Sequence, residues 1–174
     1  MNKIDAVFID RDGTIGGDDT VHYPGTFELY PFSLKTIRRL TNDGVNVFSF
    51  TNQPGISRGE ATIQEFTEEL QRFGFTDVYI CPHGPDDKCP CRKPEPGMLL
   101  QAADDYGLNL NKTVVIGDRW SDMAAADEVH AIKIMVETGA GIATLEEKPS
   151  KLEKMKIDYI AKNLEDAVEW LSHT

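Results

Sequence analysis

The chain has 174 residues, of which 40% are hydrophobic and 27% are charged, and its formal net charge is −11. This composition fits one globular domain spanning residues 1–174, and no apolar run approaches the roughly 18 to 20 residues of a membrane span. The acidity disfavours a nucleic-acid partner, because nucleic-acid-binding surfaces are basic. The N-terminal segment MNKIDAVFID lacks the layout of a secretory signal, so we expect a cytoplasmic protein without a membrane partner.

Short apolar segments alternate with helix-like segments along the chain. The apolar segments are rich in Val and Ile and predict strands at 4–9, 45–50, 77–81, 113–116, 131–136 and 157–160. Apolar spacing and composition predict helices at 31–43, 60–73, 96–106, 119–128 and 162–171. The polar segment 143–156 is interpreted as a surface loop or a fraying helix. This alternation predicts an α/β fold: a Rossmann-like open parallel sheet with helices on both faces.

Four of the predicted strands are followed by side chains that suit phosphoryl transfer. Taken alone, Asp12-Gly13 also fits a simple turn. In an open parallel sheet, however, strand ends meet at one edge, where ligands bind. Two carboxylates, a hydroxyl, a lysine and two more carboxylates there predict a metal-assisted site with a carboxylate nucleophile. In chain order these residues are Asp10 and Asp12, Thr51, Lys93, and Asp118 and Asp122.

These residues fall in four ordered motifs: D-x-D-G-T at 10–14, Thr-Asn at 51–52, Lys-Pro at 93–94 and G-D-x-x-x-D at 117–122. The set is similar to the four motifs of the haloacid dehalogenase superfamily of phosphatases. The resemblance implies that Asp10 is a nucleophile that forms an aspartyl-phosphate. It also implies that Asp12 is the general acid and base. Thr51 would donate a hydrogen bond to the phosphoryl group, and Lys93 would neutralise charge beside Asp10.

The same resemblance implies a Mg²⁺ site. Asp10, Asp118 and the backbone carbonyl of Asp12 would be its ligands, since Mg²⁺ prefers hard oxygen donors. For Asp122 two roles stay open: it acts through water, or it anchors Lys93.

A second cluster uses every cysteine of the chain. Cys81, His83, Cys89 and Cys91 form the pattern C-x-H-x5-C-x-C, which predicts a small loop, residues 81–91, with a structural Zn²⁺ ion in tetrahedral coordination. The alternative is a loop with three reduced cysteines. Because the loop leads directly into Arg92 and Lys93, we expect zinc to position those two cations.

A zinc loop within this superfamily resembles the branch of D-glycero-D-manno-heptose-1,7-bisphosphate phosphatases and histidinol-phosphate phosphatases. The segments TNQPGISRG (51–59) and CRKPEPGM (91–98) resemble the heptose type and imply removal of the 7-phosphate of that sugar. The five residues between His83 and Cys89 resemble the histidinol type instead, so histidinol phosphate or another small phosphomonoester is the alternative substrate. An acidic chain makes a polynucleotide substrate the weaker possibility.

The phosphate group that is not cleaved from a bisphosphate needs hydrogen-bond donors beside the motifs. We expect a substrate-binding set in which guanidinium groups grip phosphate, although ordinary surface charge is the alternative for each arginine. The set is Asn52, Ser57, Arg58, Arg92 and Arg119.

Residues 15–30 and 53–60 are too short for a separate cap domain. We expect a monomer, because the sequence shows no heptad seam. A non-enzymatic alternative is an interaction module stabilised by zinc, with a vestigial active site.

Overall fold

The computed structural model describes residues 4–18, 20–147 and 149–174. Six parallel strands form one sheet in the order β3-β2-β1-β4-β5-β6. The strands are β1 (Ala6–Ile9), β2 (Asn46–Asn52), β3 (Asp77–Cys81), β4 (Thr113–Gly117), β5 (Ile132–Val136) and β6 (Tyr159–Ala161). Strand order reverses beside β1, and ligands bind at such a point outside the carboxyl ends of the strands.

Helices cover both faces of this sheet. They are α1 (Ser33–Asn42), α2 (Ile63–Phe73), α3 (Gly97–Tyr106), α4 (Trp120–Glu128), α5 (Gly141–Glu147), α6 (Pro149–Met155) and α7 (Leu164–Ser172). One core cluster joins the sheet to α3 and α4 through Leu99 and Met123, and the other joins it to α1 and α7 through Ile37 and Val168. The predicted fold class, an open parallel α/β sheet, is therefore confirmed.

The segment 143–156 contains more regular structure than its polar sequence suggested. Most of it lies in two short helices, α5 and α6, rather than in a loop. Leu152 and Met155 are buried against the same face as α4, while Leu145 is half-buried there. A few apolar side chains are therefore enough to dock each short helix on an existing core: Leu145 in α5, and Leu152 and Met155 in α6. The charged residues between them make the segment look polar in the sequence.

The connections at the carboxyl edge of the sheet are irregular. Between β1 and α1, the described residues form turns and two isolated bridges, Asp12 with Gly16 and Gly16 with Leu29. The loop that carries Cys89 and Cys91 lies between β3 and α3. In the part of the chain that the structure describes, every helix is too short or too polar to cross a membrane.

Helix α2 begins with two reciprocal hydrogen bonds, and substitution of the capping residue measures what they contribute to the stability of the protein. Glu65 N donates to Thr62 Oγ1 (3.2 Å), and Thr62 N donates to Glu65 Oε2 (2.8 Å). We predict that Thr62→Ala lowers the free energy of unfolding by about 1 kcal/mol, because orphan N–H groups of the first turn lose their acceptor. Chemical denaturation measures the change. Thr67→Ala, in the middle of the same helix, is the control, and an equal loss there would contradict the capping explanation.

Candidate active site

Three of the predicted site carboxylates lie together at the carboxyl edge of the sheet. Asp10 follows β1, Asp118 follows β4, and Asp122 lies in the first turn of α4. All three are buried, and one oxygen atom from each lies within 4.8 Å of the others. Neighbouring buried carboxylates repel each other, so this arrangement requires positive charge.

Lys93 supplies one such charge. Its Nζ donates to Asp10 Oδ1 (2.9 Å) and to the carbonyl oxygen of Phe50 (2.9 Å), and it pairs with Asp122 Oδ1 at 2.7 Å. Burial alone would lower the pKa of Lys93, but the charges of Asp10 and Asp122 outweigh it and raise that pKa. Of the two roles left open for Asp122, this geometry favours the anchor of Lys93.

Asp118 has the properties expected of a metal ligand. Its Oδ2 accepts a hydrogen bond from the backbone N–H of Ala140 (2.8 Å), but no described residue donates to its buried Oδ1. Burial, together with the charges of Asp10 and Asp122, raises the pKa of Asp118 to about 8. One ammonium group among three carboxylates leaves negative charge that a divalent cation would offset. Carboxylate oxygens are the ligands that Mg²⁺ prefers, so the residues present fit the ion.

Two glycines let the backbone approach Asp118 closely. A Cβ on Gly139 would lie 2.3 Å from Gly13 Cα and 2.4 Å from Asp118 Oδ2. Both glycines have positive φ angles, 81° for Gly13 and 57° for Gly139. Thr138 Oγ1 donates to the carbonyl oxygen of Gly13 (2.7 Å). The turn after β5 therefore holds the D-x-D-G-T segment in place, and only glycine fits at the contact.

Asp12 and Thr51 are joined by one side-chain amide. Gln53 Nε2 donates to Asp12 Oδ2 (2.7 Å) and to Thr51 Oγ1 (2.9 Å). Thr51 is buried, whereas 46% of the Asp12 side chain is exposed. The pKa of Asp12 is raised because desolvation outweighs the opposing charge of Arg11, and the charge of Asp10 adds to the increase. A raised pKa favours a carboxyl group that must donate a proton.

The four predicted zinc ligands converge in the loop between β3 and α3. Cys81 Sγ lies 3.6 Å from Cys89 Sγ and 3.5 Å from His83 Nδ1, and Cys91 Sγ lies 3.3 Å from His83 Nδ1. A tetrahedral Zn²⁺ site with Zn–S near 2.3 Å places sulfurs about 3.8 Å apart and sulfur about 3.6 Å from nitrogen. The spacing fits zinc.

The thiol pKa values also bear on this site. Burial raises the pKa of Cys81 to about 12. For Cys89, desolvation is outweighed by hydrogen bonds from the backbone of Arg92 and from the neighbouring thiols, and the pKa is lowered to about 7. A metal ion would stabilise all three thiolates at once.

The predicted substrate-binding residues lie in different surroundings. Asn52 exchanges two hydrogen bonds with the backbone of Lys93: its Nδ2 donates to the carbonyl oxygen (3.1 Å), and its Oδ1 accepts from the amide (3.0 Å). This contact positions Lys93. Arg92 is half-buried and donates through Nη1 to the carbonyl oxygen of His83 (3.3 Å). It lines a cleft of about 520 Å³ together with Lys88 and Lys93.

The other three members of that set are exposed. Ser57 donates to the carbonyl oxygen of Pro54 (2.7 Å), and Arg58 pairs with Glu60 (2.9 Å). Arg119 caps the start of α4, where its backbone N–H donates to Asp122 Oδ2 (3.0 Å). Their roles in substrate binding stay predictions.

Comparison with known proteins identifies the family. The HAD-hydrolase-like family model matches residues 90–167. The chain is 38% identical over 151 residues to D-glycero-beta-D-manno-heptose-1,7-bisphosphate 7-phosphatase of Pseudomonas aeruginosa, covering 80% of this chain and 84% of that protein. It is 36% identical over 136 residues to the Helicobacter pylori protein of the same name, covering 72% and 79% of the two chains. The chain belongs to the heptose-bisphosphate phosphatase family of haloacid dehalogenase-like hydrolases.

A solved structure of this phosphatase family has the same fold. The D,D-heptose 1,7-bisphosphate phosphatase of Bordetella bronchiseptica, complexed with magnesium and phosphate, matches with a TM-score of 0.81 and 30% identity. The match covers 97% of this chain and 98% of the other. The prediction of a phosphatase is thereby confirmed.

Several residues that shape this phosphatase site were not singled out from the sequence. Gln53 follows the predicted Thr-Asn pair, and its amide bridges two site residues. Thr138 and Gly139 follow β5, and Thr138 holds the D-x-D-G-T segment through the carbonyl oxygen of Gly13. Arg11 lies between the two motif aspartates, and its signal was its position alone: a cation flanked by carboxylates after a buried strand.

The close approach at Gly139 generates a prediction. We expect Gly139→Ala to lower kcat/KM by about tenfold or more, since an added methyl group must displace Gly13 or Asp118 from the reacting geometry. Gly107→Ala is the matched control: Gly107 also has a positive φ, 64°, but a Cβ there meets no described atom within 4 Å. Steady-state kinetics and a Mg²⁺ titration measure both variants. Equal losses of kcat/KM in the two variants would show that the strain of a positive φ angle causes the loss, rather than the contact with Gly13 and Asp118.

Proposed function

We propose that this protein is a Mg²⁺-dependent phosphatase that removes the 7-phosphate of D-glycero-D-manno-heptose 1,7-bisphosphate through an aspartyl-phosphate. The observation that carries the proposal is the buried cluster of Asp10, Asp118 and Asp122, in which Asp10 and Asp122 pair with the ammonium group of Lys93. Relatives at 36–38% identity bear the name of that activity. A catalytic metal site and a paired lysine beside a carboxylate nucleophile are the parts that phosphoryl transfer needs.

The proposed first step transfers the phosphoryl group to the protein. A carboxylate oxygen of Asp10 attacks phosphorus, and the bond between phosphorus and the sugar oxygen breaks. Asp12 gives its proton to that oxygen, which leaves as an alcohol. The hydroxyl of Thr51 accepts a hydrogen bond from Gln53 and can still donate its own proton to a phosphoryl oxygen.

The second step returns Asp10 to its starting state. Asp12, now ionised, takes a proton from the water that attacks phosphorus, and the bond between phosphorus and Asp10 breaks. Inorganic phosphate leaves, and Asp12 is protonated again. Lys93 holds Asp10 through both steps.

The proposed Mg²⁺ ligands are Asp10, Asp118 and the backbone carbonyl of Asp12. When bound, the ion offsets the negative charge shared by the carboxylates and the phosphoryl oxygens. The buried Oδ1 of Asp118, for which no described residue is a donor, supports this assignment.

For the phosphate that is not cleaved, we propose the cleft beside the zinc loop. Three cations, Lys88, Arg92 and Lys93, line it together with one acid, Glu95, and cations of this kind bind phosphate. Lys93 also contacts Asp10. Asn52, Ser57, Arg58 and Arg119 complete the proposed substrate-binding set. One hydrolase domain over residues 1–174, a monomeric state and a cytoplasmic location are part of the same proposal.

The substrate is tested by phosphate release. With Mg²⁺ present, both anomers of heptose 1,7-bisphosphate and histidinol phosphate are compared as substrates, and Asp10→Asn is the inactive control. We expect a strong preference for a heptose anomer and only background release by Asp10→Asn. A preference for histidinol phosphate would instead assign the alternative, to which the five residues between His83 and Cys89 point.

Zinc is proposed as a structural ion held by Cys81, His83, Cys89 and Cys91. Because the loop ends at Arg92 and Lys93, we predict that removing zinc raises KM severalfold and lowers the melting temperature. Chelation followed by metal analysis, kinetics and thermal unfolding measures these effects, and re-addition of Zn²⁺ should reverse them. Unchanged KM and melting temperature in a preparation shown to be free of zinc would contradict the proposal.

A further inference from the structure

Arg11 is the residue between the two motif aspartates, and it is fully buried. Its guanidinium carbon lies 3.7 Å from the ring centre of Phe27 and 4.8 Å from that of Phe66. Aromatic faces attract a cation, but they do not satisfy its N–H groups. A buried guanidinium is costly unless those groups have acceptors, so its hydrogen bonds indicate what it does.

Two of its nitrogen atoms face an acidic partner on α2. Nε and Nη2 donate to Glu69 Oε1 at 3.0 Å and 2.8 Å, and Glu69 is buried as well. The backbone N–H of Gly25 donates to Glu69 Oε2 (3.3 Å). The charge of Arg11 is therefore paired at a point that is fixed by a helix and by the loop after β1.

The third nitrogen reaches the proposed general acid. Arg11 Nη1 donates to Asp12 Oδ1 (2.7 Å) and also to the carbonyl oxygen of His22 (3.0 Å). Asp12 Oδ2 is held by Gln53 (2.7 Å). Each oxygen of this half-exposed carboxyl group thus has its own donor, one from the buried arginine and one from the amide next to Thr51.

We propose that Arg11 is a positioning residue for Asp12 and that Glu69 is the anchor that fixes Arg11. A proton donor must lie within hydrogen-bond distance of the leaving oxygen, so an Asp12 free to rotate would lose efficiency in that transfer. The inference rests on the proposed function, in which Asp12 protonates the leaving group. It adds a chain of contacts from α2 to the acid: Glu69 to Arg11 to Asp12.

Leaving-group dependence separates this role from a general loss of structure. Para-substituted phenyl phosphates share one shape, but p-nitrophenolate leaves without a proton, whereas p-methoxyphenolate is more basic and benefits from one. Because kcat/KM reports the steps through leaving-group departure, the ratio of kcat/KM for p-nitrophenyl phosphate to that for p-methoxyphenyl phosphate measures acid assistance. A structural defect would lower both values by the same factor.

The test variant is the double substitution Arg11→Met with Glu69→Met, which replaces the buried ion pair by apolar side chains of similar length and leaves neither charge unpaired. We expect the ratio to rise about tenfold, part of the roughly 10²–10⁴-fold that general acid catalysis contributes. Should the double variant fail to fold, Arg11→Gln with Glu69→Gln replaces it, because the two amides can hydrogen-bond to each other.

Two controls complete the experiment. Lys133→Met removes a different buried cation, which lies on β5 outside the site and pairs with Asp127 (3.2 Å). This variant should leave the ratio unchanged. Asp12→Asn should raise the ratio at least as much as the double variant. An unchanged ratio in the double variant beside a raised ratio in Asp12→Asn would overturn the positioning role alone. An unchanged ratio in Asp12→Asn would overturn the proposed acid, and the inference with it.

Discussion

The ammonium group of Lys93 holds together parts of the chain that are far apart in sequence. It contacts Asp10 after β1, the carbonyl oxygen of Phe50 in β2, and Asp122 in α4, while Asn52 fixes its backbone from the end of β2. Removing one partner of such a buried network leaves unpaired charge and typically costs about 3–5 kcal/mol. The fold brings these groups to one edge of the sheet, and Lys93 makes their proximity stable.

The negative charge that Lys93 does not neutralise at this edge of the sheet bears on both stability and function. Lys93 offsets part of the repulsion among three buried carboxylates, and burial still raises the pKa of Asp118 to about 8. A site of this kind favours the binding of a divalent cation, because the ion would stabilise the ionised carboxylates that burial disfavours. Gly13 and Gly139 add a steric constraint, since their close contact leaves no room for a side chain beside Asp118.

The sequence predicted the fold class, and it predicted that the candidate site residues would converge, because both depend on local patterns. Apolar runs marked the six strands, and the polar residues that follow them were bound to meet at one edge of a parallel sheet. The convergence of the four Cys and His residues of the loop was predictable for the same reason, since all four lie within eleven residues. The segment of α5 and α6 was predicted only as a surface loop or a fraying helix, because its helical form depends on docking against the core through a few apolar side chains.

Contacts between distant segments were not predictable in this way. The pairing of Arg11 with Glu69 spans 58 positions, and the contact of Thr138 with Gly13 spans 125. Helical spacing places Glu69 beside the apolar face formed by Phe66 and Leu70, but it does not show that a cation lies opposite. Only the packing of α2 over the loop after β1 shows that this one carboxylate is buried against a cation.

The proposed mechanism depends above all on the phosphorylation of Asp10. The most direct measurement is to react Asp12→Asn with p-nitrophenyl phosphate and Mg²⁺, trap the product with borohydride, and locate the reduced residue by peptide mass spectrometry. With the general base removed, the aspartyl-phosphate should accumulate, and reduction should convert Asp10 to homoserine. Homoserine at another position, or unmodified Asp10 during p-nitrophenol release, would contradict the account.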